Sequence, residues 1–180
     1  TGVDDNVDEE AVAYKVYVGP AVSNDPKYNA LRGADVTLTN LPVNDIPTLD
    51  PVGNPPAIAE DAGKQTITLT GISAGGAESQ PLKVTASSNN VAVIRDPTVT
   101  YVSPAATGSL SYTPLPNQNG KAEITVTVTD AGLDGLLGTG DDGTVSRTFT
   151  VVVNAVNDAP TVAQPVANVT VDEDAPDTLL

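Results

Sequence analysis

Four residue types are absent from this 180-residue sequence: cysteine, histidine, methionine and tryptophan. Without cysteine, the chain has no disulfide, no thiol nucleophile and no thiolate ligand for zinc. Without histidine, it lacks the commonest general base and the commonest ligand of transition metals. Aromatic residues are also scarce, with five tyrosines and one phenylalanine. A hydrophobic core therefore has to be built mainly from aliphatic side chains.

Basic residues are few as well: 8 lysines and arginines stand against 23 aspartates and glutamates, a formal net charge of −15. Nucleic acids and anionic membranes are bound by basic surfaces, so neither is expected as a partner. Divalent cations suit this charge better. No apolar run approaches the roughly 20 residues that span a bilayer, and no signal-peptide pattern occurs. We expect no membrane insertion, and an interior piece of a longer extracellular protein, secreted or at the cell surface.

One short segment occurs twice. Residues 43–48 and 156–161 share the pattern Val-Asn-Asp-x-Pro-Thr, 113 residues apart. A second shared pattern, Glu-Asp-Ala, follows each copy at the same spacing, at residues 60–62 and 173–175. Two patterns that agree on one spacing predict a tandem array of modules. We interpret the Asn-Asp-x-Pro segment as the joint between consecutive modules.

Residues 43–155 are predicted to form one complete module. Short stretches that alternate between apolar and hydroxyl-bearing residues are separated by Gly, Pro and Asn turns. The seven predicted strands lie at residues 65–70, 81–86, 91–94, 98–102, 108–114, 122–129 and 148–153. This pattern, without any helical period, predicts an all-β fold, an antiparallel β-sandwich of immunoglobulin-like type. The expected core is Ile67, Leu69, Val84, Leu110, Tyr112, Ile124, Val126, Val128, Phe149 and Val151.

Threonine fills most outward positions of these strands. Its high β-propensity on a solvated face explains the pattern. A glycosylated surface is the alternative, although residues 168–170 form the one Asn-x-Thr acceptor pattern in the sequence.

The two ends of the chain are predicted to be parts of other modules. Residues 1–42 carry an acidic start, strands at 12–18 and 35–41, and a Ser-Asn-Asp-Pro turn at 23–26. These features resemble the C-terminal half of bacterial Calx-beta-like repeats, which implies that residues 1–42 close such a module. Residues 156–180 repeat the lead-in and are predicted to open the next module. Unpaired edges at both ends would invite strand addition between copies, in a head-to-tail fibre.

Acidic and amide side chains form the candidate metal sites at the joints. Calcium prefers six to eight oxygen ligands from carboxylates, amides and backbone carbonyls. The first joint supplies Asn44 and Asp45, and the lead-in after it supplies Glu60 and Asp61. We expect these four groups to meet where two modules join. The second copy repeats the set with Asn157, Asp158, Glu173 and Asp174.

A further candidate is the loop over residues 130–143, where four aspartates are spaced by glycines: Asp130, Asp134, Asp141 and Asp142. The glycines let a chain fold round one ion, so the pattern predicts a calcium loop. It is not an EF-hand, because the alternating acids and the terminal glutamate are missing. The alternative interpretation is that Asp and Gly simply favour hairpin turns.

The joint, the early glutamate and residues 129–132 (Thr-Asp-Ala-Gly) are together similar to motifs of cadherin-like repeats, in particular those of very long bacterial surface proteins. The similarity covers residues 43–180. It implies calcium bound between modules. The ligands that it implies are Asn44, Asp45, Glu60, Asp130, Asn157, Asp158 and Glu173. Cadherins carry another acid two residues before the Asn-Asp pair, whereas this chain has Pro42 and Ala155 there.

These observations together predict a non-catalytic structural module of a long extracellular repeat protein, an adhesin stalk or cell-surface filament with calcium at its joints. Enzyme activity is not expected, because adjacent acids such as Asp141 and Asp142 would point to opposite faces of a strand. The alternative is a carbohydrate-binding module for a cell-surface glycan. That function needs exposed aromatic side chains, which Tyr14, Tyr17 or Tyr101 would supply, arranged in a row on one sheet face.

Overall fold

The computed structural model describes residues 11–76 and 78–160, together with the single positions 162, 168, 170 and 173. Regular structure in this part of the chain consists entirely of β-strands. The nine strands are β1 (Val12–Val16), β2 (Val36–Asn40), β3 (Ile58–Ala59), β4 (Gln65–Leu69), β5 (Leu82–Ser88), β6 (Thr98–Thr100), β7 (Gly108–Tyr112), β8 (Gly120–Asp130) and β9 (Thr144–Asn154). They form a two-stranded sheet β1-β2, a four-stranded sheet β3-β9-β8-β5 and a three-stranded sheet β4-β7-β6.

The two larger sheets pair as in an immunoglobulin-like sandwich. One sheet contains the strands β9-β8-β5 and the other the strands β4-β7-β6, and neighbouring strands within each set are antiparallel. The segment before β4 contributes to both sheets. Thr48 pairs antiparallel with Ser73 beside β4, and the chain then crosses so that β3 runs parallel to β9. This arrangement confirms the predicted fold class.

The core lies between the two larger sheets, and alternation along β8 and the second half of β9 sends every second side chain into it. The predicted core residues are all buried except Ile67, which is half-buried against the cluster. The core also contains residues that the sequence analysis did not name: Leu49, Ile72, Ala74, Leu82, Val93, Ile94, Ala122 and Val153.

The prediction of a strand at residues 91–94 is wrong. The backbone turns there, and the N–H groups of Val93 and Ile94 both donate to the carbonyl of Asn90, at 3.1 and 3.0 Å. Both side chains are buried, and Ile94 makes a single bridge with Pro114. A short apolar run signals burial without fixing the backbone conformation. Here it marks a buried turn that covers one edge of the core.

Strands β1 and β2 form a sheet of their own. The pairs Tyr14–Leu38 and Val16–Val36 place four apolar side chains on one face. All four are about half exposed, so no second layer covers this face within the described residues. The turn expected after β1 lies at residues 24–30. The predicted pairing of residues 161–180 with another copy falls outside the described part of the chain.

No helix in the described part of the chain is both long enough and apolar enough to cross a bilayer.

The central contact of the sandwich can be tested at Ile124, which is fully buried in β8. We expect Ile124→Ala to lower the free energy of unfolding by about 2–5 kcal/mol, because it removes buried methyl groups and leaves a cavity. Urea denaturation followed by circular dichroism measures the change. The neighbouring outward residue gives a matched control: Thr125→Ala should stay within about 0.5 kcal/mol. Equal losses in both variants would contradict the assigned strand faces.

Candidate metal centre at the joint

The carboxylate of Asp130 lies at the end of β8 and is fully buried. Its Oδ1 atom accepts three hydrogen bonds, from the N–H groups of Gly132 (3.0 Å) and Gly143 (2.8 Å) and from Asn44 Nδ2 (3.2 Å). Its Oδ2 atom is also buried and has no hydrogen-bond partner among the described residues. Buried carboxylates are normally paired or bound to a metal. This orphan oxygen makes Asp130 a candidate cation ligand.

The joint residue Asn44 connects Asp130 to the two loops around it. Its amide nitrogen also donates to the backbone carbonyl of Asp141, at 3.3 Å. Its amide oxygen accepts from Gln80 Nε2 at 3.0 Å. Asn44 therefore contacts both the end of β8 and the loop that follows it.

Glu78 and Gln80 extend this cluster, and neither was predicted from the sequence. The two carboxylate oxygens of Glu78 accept from the backbone N–H of Asp45, at 3.2 and 3.3 Å. Gln80 Nε2 donates to Glu78 Oε2 at 2.8 Å, while Gln80 Oε1 is buried with no partner in the described part of the chain. The available signal was the i, i+2 spacing, which places both side chains on one side of an extended chain. We refer to Asn44, Glu78, Gln80 and Asp130 as the joint cluster.

The joint cluster holds two carboxylates and no cationic side chain. Among the described residues, the one ion pair within 4.0 Å joins Lys15 to Asp35, which lie with β1 and β2. No group of three or more acidic side chains is close enough to hold a metal within the described part of the chain. The joint cluster nevertheless offers two carboxylates, two side-chain amide oxygens and the carbonyl of Asp141. These are the hard oxygen donors that calcium prefers, so the residues present fit the ion.

Glu60 lies at the other end of the module, and this corrects one prediction. Its Oε1 atom accepts from the N–H of Val156 at 2.7 Å, and its own N–H donates to the carbonyl of Asn154 at 3.0 Å. Strand β9 has 11 residues and separates these contacts from the joint cluster by roughly 34 Å. Asn44 and Asp45 therefore do not meet Glu60 and Asp61 of the same module, because the parallel pairing of β3 carries the lead-in to the far end of β9.

The other predicted joint ligands that the structure describes lie at exposed positions. Asp61 is exposed in the turn after β3. Asn157 and Asp158 are exposed beyond the segment that Glu60 holds, and Glu173 is an exposed turn position. Asp174 lies outside the described residues. Metal binding by these residues stays a prediction.

The loop over residues 131–143 uses its acids mainly to hold its own backbone. Asp134 Oδ1 accepts from the N–H of Leu136, and Asp142 Oδ2 from that of Gly138, at 2.8 and 2.7 Å. Asp141 Oδ2 accepts from two backbone N–H groups, at 2.9 and 3.2 Å. These contacts are those of acids in a turn, the alternative that the sequence left open.

At Thr139, this loop places more acceptor oxygens around the hydroxyl group than its one proton can satisfy. The hydroxyl of Thr139 lies 2.7 Å from Asp141 Oδ1, 3.1 Å from Asp142 Oδ1 and 3.1 Å from the carbonyl of Leu136. A hydroxyl has one proton and satisfies one acceptor at a time. The hydrogen bond from Thr139 lowers the pKa of Asp141 below its ordinary value, assisted by backbone N–H groups and opposed by partial desolvation.

The tyrosines are not arranged in a row on one face. Tyr14 and Tyr17 are exposed with the β1-β2 sheet, whereas Tyr101 follows β6 and packs against the core of the sandwich. Tyr112 is buried, and this burial raises the pKa of its hydroxyl. The observation that would have favoured an aromatic sugar platform is therefore absent among the described tyrosines.

No protein-family model and no curated protein matches the sequence. Among solved structures, domains 4 and 5 of the S-layer protein SbsC are similar, with a TM-score of 0.35 and 14% identity over 66% of this chain and 59% of that one. The ASH/PapD-like domain of human CEP192 (PapD-like domain 7) is similar with a TM-score of 0.36 and 12% identity, over 66% of this chain and 92% of that one. Neither likeness bears on function.

A methyl group at Gly143 should disrupt the joint cluster. A Cβ atom there would lie 2.5 Å from Asp130 Oδ2 and 3.1 Å from Asn44 Nδ2. We expect Gly143→Ala to lower the free energy of unfolding by about 1–3 kcal/mol through overpacking, measured by urea denaturation. Gly140→Ala is the matched control, because a Cβ atom there has no neighbour within 4 Å. A Gly143→Ala variant as stable as the control would contradict this packing.

The pKa of Asp141 provides a separate test of the loop. A carboxylate with a lowered pKa stabilises the fold above its unfolded pKa, and this contribution is lost as the pH falls through the folded value. Thr139→Val removes the largest cause, so the pKa of Asp141 should rise toward 3.8. NMR titration of the side-chain carboxyl carbon measures it. Thr98→Val, on β6, should leave it unchanged; an unchanged pKa in Thr139→Val would refute the contact.

Proposed function

We propose that this chain is a non-catalytic structural segment of a long extracellular repeat protein, an adhesin stalk or cell-surface filament. In this proposal, a cadherin-like module over residues 43–155 follows the end of a Calx-beta-like module and precedes the start of another cadherin-like module. Calcium stiffens the joints between them.

The position of the two joints carries this proposal. Asn44 of the first joint is bonded to the end of β8 and to the loop before β9. Val156, which opens the second joint, is held by Glu60 beyond the end of β9. The chain thus enters at one end of the sandwich and leaves at the other. Modules connected in this way stack end to end, which is the geometry of a stalk.

The side chains that would hold calcium at the first joint are Asn44, Glu78, Gln80 and Asp130, with the carbonyl of Asp141. When bound, calcium would supply the positive charge that this cluster lacks. Asp130 would contribute its orphan Oδ2 atom, and Gln80 its orphan Oε1 atom. Glu78 and Asp130 balance the charge of one divalent ion. Extracellular modules bind calcium with dissociation constants of about 10⁻⁴–10⁻³ M, and a site with two carboxylates fits that range.

Glu60 would act at the second joint. Its carboxylate is only 4% exposed and already fixes the N–H of Val156, so it sets the direction in which Asn157 and Asp158 leave the module. A calcium site there would also need oxygens from the following module. The resemblance to cadherin-like repeats implies such a shared site.

Calcium should raise the thermal stability of the module. At about a hundredfold excess over the dissociation constant, one bound ion adds roughly 2.7 kcal/mol to the free energy of unfolding. Calorimetry with calcium, magnesium and chelator measures the change in melting temperature. Glu78→Gln should remove most of the calcium-dependent shift because it removes one of two carboxylates, whereas Glu123→Gln, an exposed change on β8, should preserve it.

Two results would count against this function. An identical melting curve in calcium and in chelator would refute calcium binding at the joint. A calcium-dependent shift that Glu78→Gln leaves intact would place the ion elsewhere, for instance at the oxygens around Thr139.

A further inference from the structure

An open basin of about 620 Å³ lies at one end of the β4-β7-β6 sheet. The register pairs Gln65 with Tyr112 and Thr98 with Ser111, so the starts of β4 and β6 flank the end of β7 there. Its volume is within the range of small-molecule sites. It lies on a different sheet from Asp130.

Two cationic side chains line this basin, Lys64 and Arg95. Both are exposed, and neither makes an ion pair within 4.0 Å among the described residues. The carboxylate of Asp96 also lines the basin, and its Oδ1 atom accepts from the N–H of Ser88 at 2.8 Å. In a chain with 8 basic and 23 acidic residues, a concave surface lined by two cations and one carboxylate carries a local excess of positive charge, which attracts anions.

The rest of the lining includes side chains that bear hydroxyl groups and apolar side chains. Thr98, Ser111 and Thr113 provide hydroxyl groups, and Tyr112, Pro114 and Pro116 form part of the wall. The prolines have no N–H to donate, which weakens recognition of a peptide by strand pairing. Hydroxyl groups that both donate and accept, placed beside two cations, match a ligand with many hydroxyls and a carboxylate.

We propose that this basin binds a carboxylated saccharide, such as a uronic acid unit of a polysaccharide. Arg95 and Lys64 pair with the carboxylate, and the three hydroxyl side chains bond the sugar hydroxyls. Recognition depends on charge and hydrogen bonding, which is consistent with the absence of an aromatic platform among the described residues. The site deepens the proposed extracellular function by giving the stalk a contact with acidic surface glycans, and it does not depend on calcium.

The test uses a trisaccharide of galacturonic acid, with the neutral galactose trisaccharide and a hexaglutamate peptide as comparison probes. NMR chemical-shift titration of the full chain is carried out in calcium-free buffer, so that failure of the joint site does not affect the result. We expect saturable binding of the acidic trisaccharide with shifts at residues 95–98 and 111–115. The neutral trisaccharide and the peptide should bind at least tenfold more weakly.

Paired variants separate this site from general charge attraction. The double change Lys64→Gln with Arg95→Gln should weaken binding tenfold or more. The control, Lys83→Gln with Lys121→Gln, removes the same charge from exposed positions on the other sheet and should change affinity less than twofold. Melting curves check that both proteins are folded.

Three outcomes would overturn the proposal. The first is absence of saturable binding by the acidic trisaccharide. The second is an equal loss of affinity in both double variants, which would indicate nonspecific attraction. The third is peptide binding as tight as that of the saccharide, which would assign the basin to an acidic protein segment instead.

Discussion

The buried carboxylate of Asp130 connects three parts of this molecule that are distant in sequence. It ends the long strand β8, accepts the N–H of Gly143 just before β9 begins, and accepts the amide of Asn44 from the entering joint. A buried carboxylate requires such partners, because removing its charge from water is costly unless hydrogen bonds replace hydration. The bond from Asn44 to this side chain is therefore one of the contacts that hold residues 43–48 on the sandwich, beside those of Asp45 with Glu78 and of Thr48 with Ser73.

The hydrogen bonding of Asp130 and its neighbours is incomplete, and the unpartnered oxygens are what motivates the proposed calcium site. Among the residues that the structure describes, the second oxygen of Asp130 and the amide oxygen of Gln80 are buried without partners, and Glu78 lies in the same network without an ion pair. A joint with surplus buried acceptors is well suited to accept a positive ion from solution. Coupling an ion to these residues would tie the direction of the chain to the end of the sandwich, as the proposed function requires.

The two ends of the sandwich are specialised in different ways. The entering joint meets a polar cluster, whereas the leaving joint is fixed by a single buried glutamate, Glu60. The basin beside Lys64 and Arg95 is on the β4-β7-β6 sheet, away from the loop that carries the acids of residues 134–142. The joint cluster and the basin beside Lys64 and Arg95 thus lie on different parts of the strongly acidic chain, so the two proposed sites can be tested independently.

The sandwich itself was predictable to a large extent. Alternation in β8 and β9 fixes which side chains face inward, because successive residues of a strand point to opposite faces. This is why Ile124, Val126 and Phe149 could be assigned to the core. The turn at Val93 and Ile94 could not, because a short apolar run reports burial and leaves the backbone conformation open.

The sequence by itself determined the class of fold, the repetition of the Asn-Asp-x-Pro segment, and the selection of Asn44 and Asp130 as candidate ligands. Only the tertiary structure decided which acids share a site. Glu60 was expected beside Asn44, but the parallel pairing of β3 with β9 carries it to the opposite end of the module. Glu78 and Gln80 belong to no recognised motif, yet the loop between β4 and β5 brings them to the joint. The physical reason is that periodicity is a local property of the chain, whereas a site depends on which strand ends meet in space.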